Sequence, residues 1–363
     1  MDRFDWRKKI KMKILFISNA SGYGGSERSL EVIAKQLAQT QSVTVFAEND
    51  IHIGNLEVSN IEIIKSHTGN KIQRLFNDLH RLRNEAKQAD VIITNTNKAA
   101  FYVAILVLIT NRIKKKKKMV FVRDFQWKFR GLIFWALKNA SFYVASPAVI
   151  DYLAPYKIKP KVIPNPVELP EEDMLDNDVS ETDPVIVCPA MISKWKGLEY
   201  LIRALSEVNV KCKLYILGKI VDRDYYDFLK SEADKIKNGT TVTFIEYTSE
   251  MEKYYRIASL VVNSSISLYG GPETFGRTIV EAWSFKKPVI AFSCGGPKFL
   301  IENYKDGILI DEANVNALSS AINELLDNQS LARQLGLNGY EKTINEFSSK
   351  KVAARFIEEI SII

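Results

Sequence analysis

The chain is poor in the residues that build metal sites and disulfide frameworks. Its 363 residues include three cysteines and three histidines. Cys188, Cys212 and Cys294 are odd in number and widely spaced, which argues against a disulfide scaffold and for a reducing compartment. His52, His67 and His80 have no zinc-ligand spacing, so no histidine-built metal site is expected. Eleven prolines and 17 glycines are too few for a fibrous or low-complexity chain, and a hydrophobic fraction of 46% excludes a disordered one. Long apolar runs are also missing. The longest, Ala99–Thr110, has about 12 residues, where a bilayer crossing takes roughly 20. Met1–Met12 is charged and has no apolar centre, so it has no signal-peptide plan. The expectation is a cytoplasmic protein, soluble or peripheral on the inner face of the membrane.

What is present is strongly patterned. The net charge of +7 is the balance of two unlike halves. Residues 1–164 carry 28 Lys and Arg against 13 Asp and Glu, and the remainder carries 22 against 30. A basic half joined to an acidic half suggests a face that meets an anionic surface or ligand. Short strand-like runs alternate with helical periodicity along nearly the whole chain. Examples are Lys13–Ser18, Ser42–Glu48, Asp90–Thr94 and Met119–Val122, then Val185–Pro189, Lys213–Leu217, Leu260–Asn263 and Pro288–Phe292. Such alternation predicts an α/β protein with two Rossmann-like, doubly wound domains of parallel strands. The periodicity lapses where Pro, Asp and Glu accumulate after Pro164. The expected division is a first domain over 1–168, a linker over 169–184 and a second domain over 185–347, with a last helix near 348–363 packing back on the first domain. Two such domains facing each other leave a cleft at the carboxyl ends of their strands, where ligands bind.

Two segments carry chemistry. The first strand runs through Asn19 to Gly24, Gly25, Glu27 and Arg28 before a helix. Glycines there allow backbone amides to approach an anion, although a tight packing turn explains them equally well. The dinucleotide fingerprint would require glycine at position 27, where Glu27 stands, so hydride transfer is disfavoured. The second segment runs from Ser267 through Pro272, Glu273, Phe275 and Gly276 to Glu281. Glu273 precedes the predicted helix and Glu281 lies about two turns into it. Two carboxylates buried together need donors such as sugar or ribose hydroxyls, and amides at the helix start suit a diphosphate.

Residues 272–283 resemble the E-x7-E signature of the retaining nucleotide-sugar glycosyltransferases of family 4, which have the two-domain GT-B fold. Other stretches agree in order. Gly24 to Arg28 resembles the family's G-G-x-E-R loop, Val162 to Val167 its interdomain I-P-N-G/P-V segment, and Lys196-Gly197 its K-G motif. Lys287 to Gly296 resembles the strand and glycine pair after the second glutamate. The resemblance spans residues 13–350 and implies roles residue by residue. Lys196, with Gly197, meets the donor diphosphate. Glu273 holds the donor sugar at the reacting centre, and Glu281 takes the ribose hydroxyls. Phe275, Gly276 and Arg277 offer amides to phosphate or sugar oxygens. Tyr247 borders the base pocket. Gly24 and Gly25 close over the diphosphate or the acceptor, and Arg28 lies on the acceptor side.

Two positions depart from the pattern. Met191 and Ala190 stand where many members have an arginine before the K-G motif, and Arg123-Asp124 stands where many have a histidine. Arg123 then brings positive charge to the acceptor side and Asp124 can orient an acceptor hydroxyl. A mutual surface ion pair is the open alternative. No metal and no separate cofactor is expected: Asp222-Arg223-Asp224 matches a metal-binding D-x-D formally but reads as a helix cap.

The implied activity is retaining, metal-independent transfer of a hexose from a nucleotide-diphosphate sugar to a glycan hydroxyl, lipid-linked, in cell-surface or exopolysaccharide synthesis. A nucleotide-sugar epimerase and a non-catalytic donor-binding subunit stay open as alternatives. Lys114–Lys118, read as a loop between helix and strand, and the aromatic-basic run Phe125–Trp135 suggest peripheral contact with anionic membrane. No nucleic-acid-reading module accompanies them, so no nucleic-acid partner is expected.

Overall fold

The computed structural model describes residues 11–57, 59–172, 183–246, 248 and 250–363. Among the described residues thirteen strands form two sheets. The first contains β1 (Lys13–Ser18), β2 (Ser42–Ala47), β3 (Glu62–Lys65), β4 (Val91–Thr94), β5 (Lys117–Val122), β6 (Ser141–Val144) and β7 (Lys161–Val162). Their spatial order is β3-β2-β1-β4-β5-β6-β7. The second contains β8 (Val185–Pro189), β9 (Lys213–Leu217), β10 (Thr241–Ile245), β11 (Leu260–Asn263), β12 (Val289–Phe292) and β13 (Ile308–Ile310), in the order β10-β9-β8-β11-β12-β13. Neighbouring strands are parallel in both sheets.

The central strands are buried on both faces because they are runs of Val, Ile, Leu and Phe, which the pleated backbone accommodates and the flanking helices cover. Val185, Ile186, Val187, Val289 and Ile290 are fully buried. In each sheet the strand order reverses once, between β1 and β4 and between β8 and β11. Doubly wound sheets bind ligands beyond the carboxyl ends of strands at such a reversal. That single topological feature positions both candidate sites.

Contacts cluster the chain into two compact units. One comprises the residues up to Ala145, Val149–Pro166 and Ser349–Ile363, and the other comprises Ser146–Ala148 and Val167–Ser348. The closing helix, Ser349–Ile362, belongs to the first unit. It stacks Phe356 on Phe121 with ring centroids 5.2 Å apart, and its Glu359 accepts the Tyr143 hydroxyl at 2.9 Å.

One local reading is revised: of the lysine run, only Lys115 and Lys116 form the turn between helix and strand. Lys114 ends the Asn111–Lys114 helix, and Lys117 and Lys118 open β5. The Lys118 ammonium is buried and donates to the carbonyls of Ile113 at 3.3 Å and Lys114 at 3.0 Å; burial lowers its pKa. Lys117 donates to the Ile360 carbonyl at 3.1 Å. The apolar run after β4 is a helix, Asn97–Ile109, capped by the Thr96 hydroxyl on the Ala99 amide at 3.1 Å. It is apolar nearly all round, so no 3.6-residue period marked it. Among the described residues no helix is long and apolar enough to cross a membrane.

Candidate active site

β8 and β11 flank the reversal in the second sheet, and the segments leaving their carboxyl ends carry the candidate residues. After β8 the chain makes a short turn, Lys194–Lys196. Gly197 follows with φ +58°, and a Cβ there would lie 2.3 Å from the Ser264 carbonyl oxygen. Only glycine permits both the left-handed backbone and this approach. The turn is tied to the segment after β11: Ser264 donates its hydroxyl to the Lys196 carbonyl at 2.9 Å, and the Ile266 amide donates to the Trp195 carbonyl at 2.8 Å.

This packing aims Lys196 at Glu273. The ammonium lies 2.5 Å from Glu273 Oε2, 3.4 Å from Ser265 Oγ and 3.8 Å from the centroid of the Trp195 ring. The Lys196 side chain is 10% exposed and that of Glu273 19%. The pair is sheltered yet open enough to admit a ligand. An ammonium has three donors, so Lys196 can keep Glu273 and still meet phosphate oxygens.

The backbone of Glu273 is fixed from beneath. The Gly296 amide donates to the Glu273 carbonyl at 2.6 Å. Gly295 has φ +53°, and a Cβ on it would stand 2.2 Å from that same oxygen. The glycine pair after β12 is therefore a bed for the Glu273 loop. Phe275 is buried beside it with its ring edge-on to Phe347. Gly276 leads into the Arg277–Ser284 helix, which has no acidic residue in its first turn. Such a helix start favours an anion.

Glu281 is buried on that helix. Oε1 accepts from Arg277 Nε at 2.8 Å, and Oε2 accepts from the Tyr255 hydroxyl at 2.9 Å. Sequence reasoning named Glu281 and Arg277 separately, as a ribose acceptor and a phosphate-side amide. The structure joins their side chains as an i,i+4 ion pair. Tyr255, from the Met251–Ile257 helix, went unnoticed because nothing in a one-dimensional pattern connects it to Glu281. Tyr247 lies outside the described residues. Asp222 accepts from the Tyr225 amide at 3.0 Å and so caps its helix.

The reversal in the first sheet gathers a second polar cluster. Asn19 and Gly24 follow β1, Asn95 follows β4 and Arg123 follows β5. Asn95 is the hub. Its Nδ2 donates to the Ser26 carbonyl at 3.0 Å, and its Oδ1 accepts from Arg123 Nε at 3.1 Å. Arg123 also bonds Asn165 Oδ1 and lies 4.6 Å from the Phe121 ring centroid. Asp124 accepts the Gln126 amide at 2.9 Å, and its side chain is exposed. Gly24 is the extended residue before the Gly25–Ala38 helix, and Arg28 is half-buried on the first turn. Glu27 is buried in that same turn, where Oε2 accepts the Ser26 hydroxyl at 2.8 Å and Oε1 has no partner. A carboxylate there repels a diphosphate, so this loop suits neutral hydroxyls.

Two doubly wound parallel sheets, each with polar groups at its reversal point, are the architecture of the GT-B fold. The family model for glycosyl transferases group 1 matches residues 171–342, and that for glycosyltransferase family 4 matches residues 23–171. The chain belongs to these GT-B glycosyltransferases. It is 26% identical over 253 residues to a trehalose synthase of Thermococcus litoralis, covering 66% of this chain and 59% of that one. It is 22% identical over 181 residues to the lipopolysaccharide core biosynthesis glycosyltransferase LpsE of Rhizobium meliloti, covering 50% of this chain and 51% of that one. The chain thus spans little more than half the length of these relatives. Among solved structures, Alr3699/HepE of Anabaena in complex with UDP and glucose superposes with a TM-score of 0.82 at 21% identity, covering 97% of this chain and all of that one.

Proposed function

We propose that this protein is a retaining glycosyltransferase that moves a hexose from a nucleotide-diphosphate donor to a glycan hydroxyl. The observation that carries the reading is the meeting of Lys196 and Glu273 beyond the carboxyl ends of β8 and β11, just ahead of the Arg277–Ser284 helix that carries Glu281. In this reading Lys196, the Gly197 turn and the amides of Phe275, Gly276 and Arg277 take the diphosphate. Glu281, held by Arg277 and Tyr255, takes the ribose, and Glu273 holds the sugar. The bond from the anomeric carbon to the diphosphate breaks as the acceptor oxygen bonds to the same face, and the acceptor proton passes to the departing phosphate oxygen. No nucleophilic side chain is needed. Charge on the leaving group is met by Lys196 and the helix start, so the step runs without a metal.

Arg123 and Asp124 stand on the acceptor side. The Asn95–Arg123–Asn165 cluster and the neutral-hydroxyl preference of the Gly24-Gly25 loop support a sugar acceptor there. The acceptor is lipid-linked and is met at the cytoplasmic face of the membrane, in surface-polysaccharide synthesis; the LpsE similarity and the cationic bias of the first 164 residues support this. Incubation with a panel of nucleotide sugars tests the reading. Slow donor hydrolysis, with thermal stabilisation by the matching nucleoside diphosphate, is expected. Epimerised sugar, or binding with no turnover in any acceptor mixture, would overturn it.

A further inference from the structure

The aromatic-basic run singled out in the sequence divides in the structure. Trp127, Ile133 and Phe134 are core residues, whereas Phe129 is 67% exposed, Trp135 61% and Leu132 42%. These three lie on and just before the Arg130–Ala136 helix at intervals of three residues, so they share one face. That helix packs beside the Asn97–Ile109 helix, with Phe129 stacked on Phe101 at 5.2 Å. The second helix adds Leu108 and Ile109, 49% and 61% exposed. Phe129, Leu132 and Trp135 therefore stand in solvent on one helix face, with Leu108 and Ile109 exposed on the neighbouring helix, and soluble surfaces seldom tolerate such apolar exposure without a partner.

Charge identifies the partner. Residues 91–150 contain eleven Lys and Arg and one acid, Asp124. Beside the apolar face lies a cavity of about 330 Å³. Lys138, Lys157, Lys159 and Lys161 line it over a floor that includes Phe134 and Tyr156. Lys161 is engaged by Glu359 at 2.7 Å. Lys138, Lys157 and Lys159 form no ion pair among the described residues. Arg130 closes the adjoining edge, 5.6 Å from the Tyr156 ring centroid. Apolar side chains to enter the acyl boundary, flanked by cations and by a lysine-lined cavity with ample room for a phosphate headgroup, fit one partner.

We infer that this face docks on anionic phospholipid, with Leu108, Ile109, Phe129, Leu132 and Trp135 entering the bilayer surface and the lysine cavity receiving a lipid phosphate headgroup. The inference extends the lipid-linked reading of the acceptor to the surface that meets the lipid. It also moves the contact away from Lys118, whose ammonium is spent inside the fold.

Sedimentation of the full chain with vesicles tests it, with no donor present so that failure of the catalytic reading leaves the result untouched. Binding is expected to vesicles of phosphatidylglycerol in phosphatidylcholine and to be weak on phosphatidylcholine alone. Raising salt from 0.05 to 0.5 M should release the protein, since screening shortens the reach of the cations. Leu132→Ser with Trp135→Ser should lower partitioning by about tenfold or more. Lys157→Gln with Lys159→Gln should lower it by about fivefold for each charge lost. Nucleoside-diphosphate binding, read without vesicles, should be unchanged in both variants and shows that they fold. No binding to anionic vesicles, or binding that both variants retain, overturns the inference. So does release by inorganic phosphate at ionic strength matched with chloride, which would assign the cavity to soluble phosphate.

Discussion

Lys196 Nζ and Glu273 Oε2 meet at 2.5 Å across 77 residues of sequence. The contact exists because β8 and β11 are neighbours at the point where the strand order reverses. Each strand delivers one charge to the same end of the sheet. Both side chains are mostly sheltered, so each is the other's main compensation until a donor arrives.

The first prediction separates the two charges. Lys196→Ala removes the ammonium proposed to meet the diphosphate and should weaken nucleoside-diphosphate binding by about 10- to 100-fold, the usual loss for a hydrogen bond to a charged group. Glu273→Gln keeps the shape and leaves Lys196 free for phosphate. Binding should hold within about threefold while turnover falls by about 100-fold or more. Calorimetry and initial rates read both. Equal losses of binding in the two variants would contradict the division of labour.

A second prediction concerns the triad of Glu281, Arg277 and Tyr255. Glu281→Ala takes the acceptor from both partners, and losing a buried ion pair's carboxylate should cost about 3 kcal/mol of stability. Tyr255→Phe should cost about 1 kcal/mol. The double variant should show coupling of about 0.5–3 kcal/mol, because both changes act on Oε2. Urea unfolding gives the stabilities. Nucleoside-diphosphate binding should vanish in Glu281→Ala and weaken several-fold in Tyr255→Phe. Strict additivity, or unchanged binding, would remove Glu281 from the ribose position.

The third prediction is steric. Gly295 has φ +53° and no room for a Cβ beneath the Glu273 carbonyl. Gly295→Ala pays about 1–3 kcal/mol in backbone strain and must also displace the Glu273 loop. Turnover should therefore fall by more than the stability change explains. Denaturant midpoints and donor turnover decide it. A variant destabilised but fully active would show that the Glu273 position does not depend on this bed.

Much of this was legible because local and global preferences agree. β8 through β11 are compact β-branched or aromatic runs, and their limits match the sequence pattern. Where a helix is apolar on all sides, as at Asn97–Ile109, the period that marks helices is absent. The ordered motifs around Lys196, Glu273 and Gly295 were visible as spacing. Their contacts were not, since the partner of Lys196 is set by strand order and that of Glu281 by a helix packed from elsewhere. Asn165 was in view within the Ile163–Pro166 stretch, yet only the fold brings it to Arg123. Likewise, Lys118 looks solvated until the helix end buries it and supplies its carbonyl partners.

The last prediction concerns alkaline pH. Cys188, Cys212 and Cys294 are all buried and free. Burial pushes the Cys188 thiol up to about 12, with nearby Lys196 opposing only part of the rise. It pushes Cys212 to about 11 and Cys294 to about 12. In the unfolded chain thiols ionise near about 8.5. Between that value and the folded ones the native state holds more protons than the unfolded state, so stability must fall as pH rises. The contribution is intact below about pH 8 and declines by up to about 1.4 kcal/mol per pH unit for each thiol. Lys118 acts in the opposite direction, because burial lowers its pKa and its neutral native form gains on the unfolded chain as pH rises. One such group does not offset three thiols. Urea unfolding at pH 8, 9 and 9.8 should show the decline, and replacing any one cysteine by alanine should make it shallower by that thiol's share. Native protein at pH 8 should also react with a thiol-directed reagent far more slowly than unfolded protein, since the thiolate is the reacting form. A flat profile, or native reaction at the rate of a free thiol, would mean that these side chains are not sealed in the core of the second unit.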